Sequence, residues 1–72
     1  MQDLLSAKWK QFRNEINSEW ADLSSDEVER VDGQRGNLVF LLQRKYGFAK
    51  RRAEREVERV VAEFEDKLRR AS

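Results

Sequence analysis

Proline is absent, and the three glycines, Gly33, Gly36 and Gly47, all fall in the middle third of the 72 residues. The chain has few places to break or reverse, so helices must fill most of the rest. Leu5, Trp9, Phe12, Ile16, Trp20 and Leu23 recur every three or four residues. At 100° per residue they fall within an arc of roughly 80°, which predicts a core-facing first helix over about residues 3–21. Ser24 and Glu27 then have the spacing of a capping box, so a short second helix starts there, with Val28 and Val31 as its apolar contacts. Gly33 fits the left-handed position past its end, and Gly36 is expected to ease a tight corner.

The third helix is predicted over about 35–46. Leu38, Val39, Leu41, Leu42 and Tyr46 share one broad face, and Arg44 and Lys45 suit the negative end of the helix dipole. Gly47 supplies the next stop, with Phe48 placed to pack on the helix before it or the one after. In the long last helix, Ala49, Ala53, Val57, Val60, Val61, Phe64 and Leu68 form a stripe. Glu63 with Lys67, Glu65 with Arg69 and Asp66 with Arg70 are i,i+4 pairs in the favourable order, each contributing about 0.2 to 0.5 kcal/mol. No repeat or linker interrupts the pattern. It predicts a single all-α domain over 1–72, a small four-helix bundle.

Composition narrows the chemistry. With no His and no Cys, the chain lacks histidine bases, thiol nucleophiles, zinc-finger ligands and disulfides. A net charge of +1 gives no global attraction to nucleic acid or to a membrane surface, so any electrostatic partner must be read locally. The longest apolar run, Leu38-Val39-Phe40-Leu41-Leu42, is far short of the roughly 20 residues that span a bilayer. Met1-Gln2-Asp3-Leu4-Leu5 has none of the parts of a secretory signal, and a reducing cytoplasm is the expected location.

Several stretches together resemble the CsbD-like family of bacterial general-stress proteins. They are Trp9-Lys10-Gln11-Phe12, Trp20 with Leu23-Ser24 and the acidic run to Gly33, then Arg35, Leu38-Val39, Gln43, Tyr46-Gly47 and Ala53-Glu54. The similarity is strongest over residues 7–60, with 61–72 as an extension of the last helix. The resemblance implies two crossed helical hairpins, similar to the sterile-alpha-motif type of fold, in a cytoplasmic protein made under stress or on entry into stationary phase. It implies no catalytic residues, cofactor or substrate. The chain departs from the family pattern at Phe40-Leu41 and at Lys50-Arg51-Arg52, which is where an added function would lie.

Most chemistry-bearing residues have a structural reading. Trp9 and Trp20 share the arc of Phe12 and Ile16, so core packing is expected rather than base stacking. Truncating Trp9 to alanine would then cost about 3 to 5 kcal/mol. Asp26, Glu27, Glu29 and Asp32 lack the alternation of a calcium loop and are expected to serve a helix start; no metal site is read here. Ser24 and Ser25 have no base placed beside them, and Tyr46 before Gly47 is expected to pack its ring. Gly33-Gln34-Arg35-Gly36 has the form of a phosphate-approaching loop but lacks the sheet such a module needs.

Two features resist that treatment. Residues 34–55 hold Arg35, Arg44, Lys45, Lys50, Arg51, Arg52 and Arg55 against the single acid Glu54. Arg51, Arg55 and Arg59 form an i,i+4 ridge opposite the apolar stripe, and Lys50 to Arg52 sit at the positive end of the last helix, where the dipole disfavours them. Arg44, Lys45, Lys50, Arg51, Arg52 and Arg55 are therefore the candidate contact for nucleic acid or an acidic protein surface. The alternative is a solvated face neutralised by Glu54, Glu56 and Glu58. The second feature is Phe40, whose direction is about 200° from Leu38. Burial all round a central third helix is the favoured outcome; exposed, Phe40 with Leu41 makes a partner patch or an oligomer seam. The chain is accordingly expected to be non-catalytic, without cofactor, and to act stoichiometrically through its surface. The alternatives are a polyanion-binding module at the basic corner and a homo-oligomer seamed on Phe40 and the last helix.

Overall fold

The computed structural model describes residues 7–71. Among these there are four helices and no strand: α1 Trp9–Glu19, α2 Ser25–Val31, α3 Arg35–Tyr46 and α4 Lys50–Ala71. Leu5 and the expected start of the first helix at residue 3 lie outside the described residues. No described helix is long and apolar enough to cross a membrane.

The first helix ends earlier than its apolar spacing suggests. Trp20 is its C-cap, with φ −127° and ψ 77°, and its amide donates to the Ile16 carbonyl at 2.8 Å. The Leu23 amide donates to the Trp20 carbonyl at 3.1 Å, closing a turn that swings both side chains inward. Both are buried although neither is helical. Trp9 is a second correction: it is only partly buried at the edge of the core, because it lies at the outer end of α1. The full truncation cost expected of a core tryptophan therefore does not apply to it.

The capping box forms as expected. The Glu27 amide donates to Ser24 Oγ at 3.2 Å, and the Ser24 amide donates to Glu27 Oε1 at 2.9 Å. That backbone amide, with Lys45 beside it, holds the Glu27 carboxyl below the ordinary carboxylate value. At the other end of α2, Asp32 (φ 51°) and Gly33 (φ 74°) are both left-handed, so the stop takes two residues instead of one. Gly36 does not form a corner; it lies inside the first turn of α3. Gly47 is the left-handed C-cap of α3 at φ 71°, and its amide donates to the Gln43 carbonyl at 3.0 Å.

Helix α4, with 22 residues, rises about 33 Å and sets the long axis of a body measuring 36 × 26 × 24 Å. Its stripe of Ala53, Val57, Val60, Val61 and Phe64 is buried, whereas Ala49 precedes the helix and is exposed. Leu38 and Leu42 of α3, Val28 and Val31 of α2, and Phe12 and Ile16 of α1 close over that stripe. Phe12 meets Phe64 edge-on at 5.0 Å, a favoured aromatic geometry. Helix α3 is buried on one side only, so the expected burial of Phe40 does not occur: it is 60% exposed.

Two outcomes follow. Phe12→Ala is expected to cost about 3 to 5 kcal/mol, as much as the whole net stability of about 3 to 5 kcal/mol for a core this size. That variant should show no cooperative urea transition, while Trp9→Ala should keep one at a lower midpoint; equal losses would contradict the edge position of Trp9. The Glu27 pKa is lowered by folding, so its stabilisation is complete above the unfolded value of about 4.3 and is lost as pH falls through the folded one. Between about pH 5 and pH 3 the urea midpoint of Glu27→Gln should therefore fall less than that of the wild type.

Candidate functional site

The basic run of residues 34–55 does not form one surface. Arg35 leaves it first: its Nη1 lies 2.8 Å from Glu58 Oε1 on α4. Arg44 and Lys45, in the last turn of α3, face a groove shared with α2. Lys50, Arg51, Arg52 and Arg55 stand exposed on the first turns of α4. The sequence neighbours thus separate into two sites, because the Gly47 reversal turns the chain between them.

At the α4 site, Phe48 organises the corner. Its ring stacks on Tyr46 with centroids 5.4 Å apart and planes 20° from parallel. The Arg52 guanidinium carbon lies 4.2 Å from the Phe48 centroid, a cation–π contact that fixes this charge at the start of α4. Burial raises the Tyr46 hydroxyl pKa, and the nearby Asp22 carboxylate adds to the rise, so the phenol stays protonated. Phe48 thereby packs both backward on α3 and forward on α4.

Of the three acids expected to neutralise this face, only Glu54 remains beside these cations, and it forms no ion pair with them. Glu58 is engaged with Arg35, and Glu56 Oε2 lies 2.9 Å from Arg59 Nη2. Arg59, the third member of the expected arginine ridge, also meets Glu19 at 2.6 Å and Glu63 at 3.0 Å. The hydrogen bonds it donates to Glu19 and then to Glu56 push its pKa up and hold it charged, so Arg59 is a link between α1 and α4 and not part of an open basic face. Among the described residues Lys50, Arg51, Arg52 and Arg55 form no ion pair. No acid occupies the first turn of α4.

The charge pairs expected along α4 are partly rearranged. Asp66 and Arg70 meet at 2.8 Å as i,i+4 neighbours. Lys67, expected to meet Glu63, reaches Glu15 of α1 at 3.0 Å instead. Arg13 of α1 pairs with Glu29 of α2. These contacts between helices depend on chain separations of 16 to 52 residues and have no local signature.

The groove between α2 and α3 has a volume of about 400 Å³ and joins two candidates that were separate in the sequence. Val31, Phe40 and Leu41 line it together with Arg30, Arg44 and Lys45. The Arg44 guanidinium carbon lies 5.7 Å from the Phe40 ring centroid, and Lys45 Nζ lies 3.2 Å from Glu27 Oε1. Arg30 was not singled out by sequence, because its nearness to Phe40 arises only when α2 folds against α3. Of the acids near Gly33, Glu27 caps α2, Asp26 lies with it in the first turn of that helix, and Glu29 holds Arg13.

The chain is 41% identical over 66 residues to a UPF0337 protein of Pseudomonas aeruginosa, covering 92% of this chain and 95% of the other. It is 38% identical over 55 residues to a UPF0337 protein of Pectobacterium atrosepticum, covering 76% and 80%. The UPF0337 protein YjbJ of Escherichia coli is 36% identical over 55 residues, with the same coverage. No protein-family model and no solved structure matches the chain. The Pseudomonas match takes in more than nine tenths of both chains, so all four helices share in the likeness, and this chain belongs to the UPF0337 family.

Proposed function

We propose that the protein is a non-catalytic, CsbD-like stress protein of the bacterial cytoplasm that acts stoichiometrically by holding a polyanion, such as nucleic acid, on the start of α4. The CsbD-like reading is supported by the motifs from Trp9 to Glu54 and sits alongside the UPF0337 relationship. Two crossed helical hairpins, of the sterile-alpha-motif type, are the arrangement that goes with it. The Gly47 reversal between α3 and α4 and the return of α1 onto α4 are consistent with that arrangement.

One observation carries the binding reading. Lys50, Arg51, Arg52 and Arg55 crowd the positive end of the longest helix, with the single acid Glu54 among them, while Glu58 and Glu56 serve Arg35 and Arg59. Within the described chain, repulsion among the four cations and with the dipole is offset only in part, by the single carboxylate of Glu54. A phosphate chain relieves both, and the amides of the first turn add donors of the same polarity. Arg52, held on the Phe48 ring, supplies one charge in a set position, and the others gather round it.

The test is a fluorescence anisotropy titration of labelled single-stranded DNA and RNA at two salt concentrations. Four neutralised phosphates give a salt slope near −2.8, so affinity should fall about 50-fold between roughly 50 and 200 mM salt. Arg51→Glu combined with Arg55→Glu should abolish binding while the helical circular dichroism stays unchanged. Binding that ignores salt, or none at the lower concentration, would remove the proposal.

A further inference from the structure

The groove between α2 and α3 lies outside the polyanion site and has a different character. Its apolar wall is Val31, Phe40 and Leu41, and Phe40 is the one large apolar side chain exposed among the described residues. Arg30 and Arg44 stand at this wall without an acid partner among the described residues, whereas Lys45 is held by Glu27. We propose that this groove docks an acidic amphipathic helix of a partner protein, with bulky apolar side chains on Phe40 and Leu41 and carboxylates on Arg30 and Arg44.

Charge and shape select this occupant. In a symmetric pairing of two copies through Phe40, each groove would present Arg30 and Arg44 to the same cations of its partner, which disfavours self-association here. A phosphate chain, charged along its length, would have to lie along an apolar wall that offers its oxygens no partner. A helix with apolar residues at every third or fourth position and acids beside them satisfies the wall and both arginines together. From Asn37 to Lys45 the groove follows α3 for about 12 Å, a little over two turns of a docked helix. Arg44, lying over the Phe40 ring, already has its guanidinium beside the anchor position, where Arg can take a carboxylate in two parallel hydrogen bonds.

The probe is a labelled peptide of about 16 residues with Leu and Phe at alternating three- and four-residue intervals and Glu elsewhere, beside a counterpart with Lys in place of Glu. The acidic peptide should bind saturably to the full chain and the basic one should not. Phe40→Ser and Arg44→Glu should each weaken binding about tenfold or more, the scale of an interface anchor. Because both side chains are exposed, circular dichroism should match the wild type. The double change Arg51→Glu and Arg55→Glu, which tests the polyanion site, should leave peptide affinity unaltered, so the two proposals fail separately. Equal binding of both peptides, no binding of the acidic one, or affinity indifferent to Phe40→Ser would overturn the docking site. So would sedimentation showing, without peptide, a dimer that Phe40→Ser dissociates, or an oligonucleotide whose binding requires Phe40.

Discussion

Phe64 and Phe12 meet edge-on at 5.0 Å, and through that contact the two ends of the described chain are joined. Phe12 is fully buried, and Phe64 is the last of the five buried residues along α4. With few residues to cover a core, a small domain depends on such large side chains, because each removes more apolar surface from water than an aliphatic neighbour does. Once α1 is seated on α4, Glu15 lies within reach of Lys67 and Glu19 within reach of Arg59. The aromatic pair thus places the charges as well as the core.

That placement explains why one end of α4 is bare. The acids of α1 reach the middle and far parts of α4, and Glu56 and Glu58 turn to Arg59 and Arg35. Each exposed pair is individually weak, of the order of 0 to 1 kcal/mol. Their collective result is a division of the surface: Arg59, Lys67 and Arg70 are each held by a carboxylate, while Lys50, Arg51, Arg52 and Arg55 form no ion pair although Glu54 lies among them. The Tyr46, Phe48 and Arg52 stack lies in that unpaired part and anchors the reversal from α3 and a charge in the first turn of α4 in the same contact.

The groove has another origin. Helix α2 is only seven residues long, with two buried valines, so it covers one flank of α3 and leaves the side with Phe40 open. Arg44 on the ring and Lys45 on Glu27 give the groove a polar rim and an apolar wall. The mixture of an exposed aromatic with unpartnered arginines is the composition found at protein interfaces, where Tyr, Phe and Arg are enriched and desolvated charges are few.

Local rules account for what was readable before folding. The Ser24 and Glu27 box, the Gly47 stop, the stripe from Ala53 to Phe64 and the Asp66–Arg70 pair each involve residues close in the chain, so helical geometry alone specifies them. Trp20 and Leu23 kept the helical spacing but are buried by a turn after Glu19, since periodicity reports the direction of the core and not the secondary structure that reaches it. The sequence by itself thus determined four helices, their apolar faces and an excess of cations between Arg35 and Arg55. Only the tertiary structure decided that Arg59 and Lys67 would be drawn to α1, that the cations would divide into two sites, and that Phe40 would stay in solvent. Those outcomes depend on which helix faces which, and that is set by apolar contacts between residues far apart in the chain.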